Sequence, residues 1–334
     1  MSLSANFRVA LRKGASLGAL WPSLENILRR RSVSRDIIDA IEFIQPAARQ
    51  NPDRLPDKTR EVALAILEGK KNPFKKERLL RNLGSGVFGD VVKVSVGSEY
   101  LALKKIEMPS EERFVRECQL LLECDHPHII KIAHVGKEHR FYMELAAGGS
   151  LLDLKNPSRR FLQSSFLEIA QGLAYLHKKG IFHRDIKPSN ILLSLRGSIK
   201  IADFGWAIHR RDFPREKVLP QGLKCFHYPP EYRLSKAQQE EYFAVDVWSL
   251  GYVIATFFLK KKKAFFLSST RALRSFEGFF PGDLEKRFSS KAVKNYDRKG
   301  FFRRILYRCF EKEPGKRPRM DQIVEDMQKV FNRL

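Results

Sequence analysis

His183-Arg184-Asp185-Ile186-Lys187-Pro188-Ser189-Asn190, followed 18 residues after its aspartate by Asp203-Phe204-Gly205, is the stretch on which the reading of this chain turns. Taken singly, an aspartate in a polar loop is ordinarily a turn residue or a cap, because its carboxylate satisfies nearby backbone N–H groups. The weight of these two aspartates comes from the segments that stand before them, in order.

Upstream, Gly84-Ser85-Gly86-Val87-Phe88-Gly89-Asp90-Val91 lies between two strand-like runs, Leu79 to Leu83 and Val91 to Val96. Small residues in a GxGxxGxV pattern let backbone N–H groups approach phosphate oxygens closely. A plain hairpin uses the same glycines, and a dinucleotide-binding turn would have to open a helix, which Val91, Val92, Val94 and Val96 argue against. Fifteen residues past Gly89 comes Leu101-Ala102-Leu103-Lys104, within the apolar run Tyr100 to Ile106, whose alternation turns Ala102 and Lys104 to one face. A lysine so placed is ordinarily a snorkelling surface group. Here the next helical segment, Phe114-Val115-Arg116-Glu117-Cys118, offers Glu117 as partner in preference to Glu111 or Glu112. Such a pair would hold the ammonium on the α- and β-phosphates of a nucleotide.

Glycine loop, strand lysine, HRDxKPxN loop and Asp-Phe-Gly, in that order, resemble the eukaryotic-type protein kinase superfamily, and Lys187-Pro188 resembles its Ser/Thr-type catalytic loop. The resemblance extends over residues 80 to 330. It implies transfer of the γ-phosphoryl of ATP to a Ser or Thr hydroxyl of a protein substrate, with Mg²⁺. Phosphoryl transfer leaves little covalent work to the protein, so the residues serve to position a hydroxyl and neutralise charge. The resemblance implies that Asp185 orients or accepts the substrate hydroxyl proton, Lys187 contacts the γ-phosphate, and Asn190 and Asp203, both hard oxygen donors, hold Mg²⁺. Gly84, Ser85, Gly86, Val87, Phe88 and Gly89 cover the phosphates. Met143-Glu144-Leu145-Ala146, ahead of Gly148-Gly149-Ser150, resembles the hinge, with adenine bonded to the backbone of Glu144 and Ala146, Met143 as gatekeeper, and Val91, Ala102 and Leu192 enclosing the purine. Pro229-Pro230-Glu231 replaces the usual Ala-Pro-Glu, and Glu231 is expected to pair with Arg317. Asp246-Val247-Trp248-Ser249-Leu250-Gly251 matches the helix that supports the catalytic loop.

The expected architecture is α+β and bilobal. Residues 77–146 form a small sheet-rich N-lobe with the hinge, and residues 147–334 a larger C-lobe in which helices dominate from about Ser164, with a cleft between the lobes. Residues 1–76 read as a separate, basic helical N-terminal extension, broken by Pro22, Pro46, Pro52, Pro56 and Pro73. Ile37, Ile38, Ile41 and Ile44 follow Ser34, a candidate N-cap. A further helix runs from Asp57 as cap through Val62, Ile66 and Leu67 to Gly69.

A hydrophobic fraction of 43% over 334 residues excludes a disordered chain. The net charge of +24 favours polyanions, and residues 260–334 carry 21 Lys/Arg against 9 Asp/Glu, including Lys260 to Lys263. A solvated surface and a site for an acidic partner or polyanion both fit that excess. Nucleic-acid binding as the main role has no recognised motif behind it. Cys118, Cys124, Cys225 and Cys309 are too far apart for a CxxC motif and suit a reducing, cytoplasmic setting. No apolar run is long enough to span a bilayer. Residues 1–35 hold one acid, Glu25, as transit peptides do, but Asp36, Asp39 and Glu42 limit any targeting segment. Ser32 and Ser34, behind Arg29-Arg30-Arg31, read as basic-directed phosphorylation sites or as caps.

Between Phe204 and Glu231 there is no Ser or Thr, and Tyr228 is the one hydroxyl. Arg184 precedes Asp185, where many kinases answer an activation-loop phosphate. The expectation is competence without that phosphate, with Asp212 or Glu216 as a fixed negative partner or with control by the N-terminal helices. Lys224 stands where the family usually has a threonine bonded to the catalytic Asp and Lys. It favours the alternative of a pseudokinase-like scaffold that binds ATP and partners, whereas the retained Lys104, Asp185 and Asp203 favour an enzyme. Small-molecule kinases of related fold typically lack the Pro-Glu, DxWSxG and Lys-Arg-Pro elements found here.

Overall fold

Alternation of apolar residues over 78–105 produces three consecutive antiparallel strands, β1 (Arg78–Gly86), β2 (Gly89–Val96) and β3 (Glu99–Lys105), in the computed structural model. The structure describes residues 3–28, 35–68, 70–86, 89–106, 111–212, 228–229, 242–258 and 301–331. With β4 (Ile132–Val135) and β5 (Arg140–Glu144) the strands form a five-stranded sheet in the order β1-β2-β3-β5-β4. Gly89 turns the chain back at φ +117°, and a side chain there would strike the Lys105 carbonyl oxygen, so only glycine fits.

The chain divides into two compact units, Met1–Asp125 with Ile130–Ala146, and His126–Ile129 with Ala147–Leu334. In the first, four α-helices precede the sheet among the described residues: α1 (Leu3–Lys13), α2 (Trp21–Ile27), α3 (Arg35–Gln50) and α4 (Asp57–Leu67). Ile37, Ala40, Ile41, Ile44, Ala47 and Ala48 form the buried stripe of α3; three of the four isoleucines read at helical spacing lie in it, and Ile38 is half-buried. Two sequence expectations need correction. Pro46 does not break this segment but lies inside α3. Asp57 is not the cap of α4: Pro56 holds that position, and the Asp57 carboxylate bonds Arg60 and Lys131 instead. The candidate cap Ser34 and the stop Gly69 lie outside the described residues.

Residue 76 marks a change from helix to strand and not a break in packing, because α3 and α4 both pack on β4. Val94, Val96, Leu101, Leu103 and Tyr142 make the core of one sheet face, with Phe74 against it. His134 of β4 joins them, stacked on Phe43 of α3 at 4.3 Å and 2.9 Å from Thr59 Oγ1 of α4. The opposite face, carrying Lys104 and Phe141, meets α5 (Glu111–Glu123) through Phe114, 6.3 Å from the Phe141 ring.

The second unit is built on α6 (Arg159–Lys178), capped by Ser158 and buried along Leu162, Phe166, Ile169, Ala170, Leu173 and Leu176. After it come two short ladders, β6 (Ile181–Phe182) with β9 (Ile208–His209), and β7 (Ile191–Leu193) with β8 (Ile199–Ile201). Beyond them lie α7 (Tyr242–Phe258), α8 (Phe301–Cys309) and α9 (Met320–Phe331). Nearly every residue of α7 is buried, so it serves as the internal post of this unit. The described cysteines Cys118, Cys124 and Cys309 are buried thiols outside any disulfide, and burial pushes Cys309 up to about 12 and Cys118 upward also. Both are inert under ordinary conditions.

Candidate active site

The segment 183–190 leaves β6 as a tight loop with almost no exposed surface at His183, Arg184 and Asp185. Arg184 takes φ +63° and Asp203 φ +65°. An aspartate tolerates the left-handed region, but an arginine there costs energy and persists only where its surroundings enforce it. The enforcement comes from Asp246 of α7. Its carboxylate accepts the backbone N–H of His183 at 2.9 Å, that of Arg184 at 2.8 Å, and His177 Nε2 of α6 at 2.9 Å. Burial works to raise the pKa of Asp246, but the hydrogen bonds from His177 and from the His183 backbone N–H bring it below the ordinary carboxylate value.

His183 is held as the neutral ring. Its Nδ1 accepts the Asp185 N–H at 3.3 Å, so Nε2 carries the proton and donates to the Ala202 carbonyl at 3.1 Å. Burial keeps its pKa below the usual value, against the raising effect of nearby carboxylates. Arg184 donates from Nε to the Trp206 carbonyl at 2.7 Å, and its guanidinium lies 5.6 Å from the centre of the Tyr242 ring.

Asp185 is the hub of the loop. Its Oδ2 accepts Lys187 Nζ at 2.7 Å and Asn190 Nδ2 at 2.8 Å, and the same amide donates to the Asp185 carbonyl at 2.9 Å. Tyr228 donates to Oδ1 from 3.5 Å. The segment bearing Asp203 is tied to this loop because the Ala202 N–H donates to the Asn190 carbonyl at 2.9 Å. Asp185, Lys187, Asn190 and Asp203 are therefore brought together by local hydrogen bonds within one unit.

In the other unit, register gathers a second set. Val91 pairs with Lys104 and Lys104 with Phe141, while Ala102 pairs with Met143. Paired residues of antiparallel strands share a face, so Val91, Ala102, Lys104 and Met143 share one. On it Lys104 Nζ meets Glu117 Oε1 of α5 at 2.7 Å, with the side chains 6% and 1% exposed. Burying two charges costs several kcal/mol per ion, so a pair this deep records a helix held in place by the surrounding structure. Glu144 accepts the Lys131 N–H on its carboxylate at 2.8 Å, which fixes the end of β5 just before Ala146. Leu192 belongs to β7 of the second unit. In the glycine turn, the Gly84 N–H is taken by Asn82 Oδ1 at 2.7 Å, and a side chain at Gly84 would meet nothing within 4 Å. Val87 and Phe88 lie outside the described residues, as do Lys224, Glu216, Glu231, Ser32 and the run Lys260 to Lys263.

The protein kinase domain family matches residues 78–327. The chain belongs to the protein kinase family. It is 31% identical over 222 residues to an Aurora/IPL1-related protein kinase 2 of Caenorhabditis elegans, covering 62% of this chain and 70% of that protein. An Aurora kinase of Candida glabrata is 38% identical over 186 residues, 51% of each chain, and the mouse cAMP-dependent protein kinase catalytic subunit PRKX is 35% identical over 192 residues, 52% of each. The chain spans about half the length of the last two.

Within this kinase, several contacts that shape the catalytic loop had no readable sequence signal. His177, the Trp206 carbonyl and the Tyr242 ring act through tertiary placement, and nothing in their local sequence distinguishes them from ordinary packing residues. Arg317, expected to pair with Glu231, is buried, donates to the carbonyls of Glu311 at 2.8 Å and Ala244 at 3.2 Å, and lies 4.9 Å from the centre of the Trp248 ring. Among the described residues no helix is long and apolar enough to cross a membrane.

Proposed function

We propose that this kinase transfers the γ-phosphoryl of ATP to Ser or Thr hydroxyls of a protein substrate, without phosphorylation of a Ser or Thr between residues 204 and 231. The observation that carries the reading is the Asp185 carboxylate, held at Oδ2 by Lys187 and Asn190, beside a loop tied to Asp203. Asp185 orients the incoming hydroxyl and takes its proton. Lys187 reaches the transferring phosphoryl group, a role supported by its 34% exposure and its anchor on Asp185. Lys104, set by Glu117, grips the α- and β-phosphates under the turn from Gly84 to Gly89. Val91, Ala102 and Met143, on one face of the sheet, line the purine, whose edge bonds to the backbone of Glu144 and Ala146.

The donor set fits Mg²⁺. Asn190 commits its Nδ2 to Asp185, which fixes the amide and keeps Oδ1, 3.5 Å from the Ser189 hydroxyl, as its oxygen donor, and Asp203 adds a carboxylate. The ion would supply neutralisation of phosphate charge. Lys187-Pro188 and the Ser/Thr kinases among the relatives support Ser/Thr specificity. The domain division follows the same reading, with 77–146 as N-lobe and hinge and 147–334 as C-lobe. A cytoplasmic setting and an acidic or polyanionic partner for the basic C-terminal segment complete it.

The test is ATP/Mg²⁺ transfer to a generic basic protein and to the kinase itself, comparing wild type with Asp185→Asn and Asp203→Asn. Phosphoserine or phosphothreonine formed by wild type alone is the expected result. Nucleotide binding without any transfer would favour the scaffold reading, for which Lys224 is the supporting residue.

A further inference from the structure

The helix that carries Glu117 is held at its far end by the N-terminal helices. An α-helix ends with four backbone carbonyls that have no partner within the helix, and its dipole makes that end a seat for a cation. At the end of α5, Arg54 donates from Nη1 to the carbonyl of Glu123, the last residue of the helix, at 3.1 Å. The bond is reciprocated. Gln119 of α5 donates from Nε2 to the carbonyl of Gln50, the last residue of α3, at 3.2 Å. Each helix thus has its C-terminal end closed by a side chain from the other's side of the contact.

Arg54 does not hang on a loose tether. The connector between α3 and α4 is closed by Asn51 N–H to the Ala47 carbonyl at 3.0 Å and Asp53 N–H to Asn51 Oδ1 at 3.1 Å, and the Leu17 N–H donates to the Pro52 carbonyl at 3.0 Å. Beyond it, α4 is clamped to the sheet by Thr59 at His134, Lys58 to Glu99 at 2.6 Å, and Asp57 to Lys131 at 2.7 Å. Glu117 stands less than two helical turns before the carbonyl that Arg54 caps, so displacement of this end moves the carboxylate off Lys104.

We infer that Arg54 and Gln119 are positioning residues: they fix α5 so that Glu117 meets Lys104 with no contribution required from a phosphorylated 204–231 segment. The inference rests on the reading of Lys104 and Glu117 as the phosphate-gripping pair. It assigns the N-terminal helices the task of holding the kinase in its nucleotide-competent form.

The test uses the full chain with Arg54→Ala, Arg54→Lys, Gln119→Ala, Glu117→Gln and the Arg54→Ala/Glu117→Gln double variant. Two quantities are read: deuterium uptake of residues 111–123, and affinity for a fluorescent ATP analogue with Mg²⁺. Arg54→Ala is expected to raise the uptake and weaken the analogue about tenfold. Arg54→Lys, which keeps a cation at the helix end, should recover part of both, and Gln119→Ala should act in the same direction as Arg54→Ala. In the Glu117→Gln background, Arg54→Ala should cost no further affinity, because the contact through which it acts is already gone. A full additional loss in that background, or wild-type uptake and affinity in Arg54→Ala, would overturn the inference. Neither readout needs phosphoryl transfer, so a chain that binds nucleotide but transfers nothing defeats the proposed activity while leaving Arg54 to be decided by the affinities. A wild-type chain that binds no nucleotide overturns both.

Discussion

The Tyr228 hydroxyl stands 3.5 Å from Oδ1 of Asp185, while Lys187 and Asn190 hold Oδ2 at 2.7 and 2.8 Å. Under the proposed function, Lys224 takes the position where the family usually has a threonine, and the Tyr228 phenol, four residues further on, supplies a hydroxyl to the Asp185 carboxylate. A long hydrogen bond to a charged group still restricts the carboxylate's rotation. Tyr228→Phe keeps the ring and removes the donor. Steady-state kinetics should show kcat falling about three- to tenfold with the KM for ATP unchanged. A change in KM alone, or none in either constant, would reduce Tyr228 to a packing residue.

Lys104 and Glu117 separate stability from function. Lys104→Met leaves the Glu117 carboxylate buried beside an apolar side chain, which should lower unfolding stability by about 3–5 kcal/mol in urea titration. Lys104→Met combined with Glu117→Leu removes both charges and should recover most of that loss, while nucleotide affinity stays abolished. Should the double variant remain as unstable as the single one, the burial cost of the lone carboxylate would not be the cause.

The first three strands, the lysine among them, and the loop 183–190 were legible because each is encoded locally. Alternation sets β1 to β3, and the HRDxKPxN and Asp-Phe-Gly runs place four polar residues within one short chain length. The partner Glu117 was readable because it stands inside the helical segment Phe114 to Cys118 that follows the lysine strand. What stayed hidden depends on long-range contact. Nothing in the 1–76 segment announces that Thr59 reaches His134 or that Arg54 caps α5, because such contacts join segments far apart in sequence. Pro46 misled for a local reason: proline ordinarily interrupts a helix, but here the buried isoleucine and alanine stripe of α3 overrides that preference.

Asp246 is expected to matter for the loop's shape more than for chemistry. Its carboxylate takes two backbone N–H groups and His177 Nε2, and an asparagine offers a single acceptor oxygen with an NH₂ facing one of those donors. Asp246→Asn should lower stability by about 1–3 kcal/mol and kcat by about 100-fold, since Arg184 loses the anchor of its left-handed backbone and Asp185 shifts with it. Thermal melting beside steady-state kinetics reads both. A variant that melts early but turns over normally would show the carboxylate to be structural alone.

His134 makes the packing of the N-terminal helices pH-dependent. Its ring is sealed among Phe43, Phe74 and Tyr142 with Thr59 at Nδ1, and burial lowers its pKa from the ordinary 6.5 to about 3. Beside Tyr142, Glu77 accepts the phenol hydroxyl and pairs with Arg140. Between the two pKa values the unfolded chain binds a proton that the native chain excludes, so stability rises with pH across that window. Its contribution is fully present above 6.5 and is lost as pH falls toward 3, by about 1.4 kcal/mol per unit at most. At pH 5 the native state should therefore be about 2 kcal/mol less stable than at pH 7 from this residue alone. His134→Phe keeps an aromatic ring in the stack and removes the titrating group. Urea unfolding of both proteins at pH 7 and pH 5 should show the difference shrink by that amount in the variant, and an unchanged pH dependence would place the titrating group elsewhere.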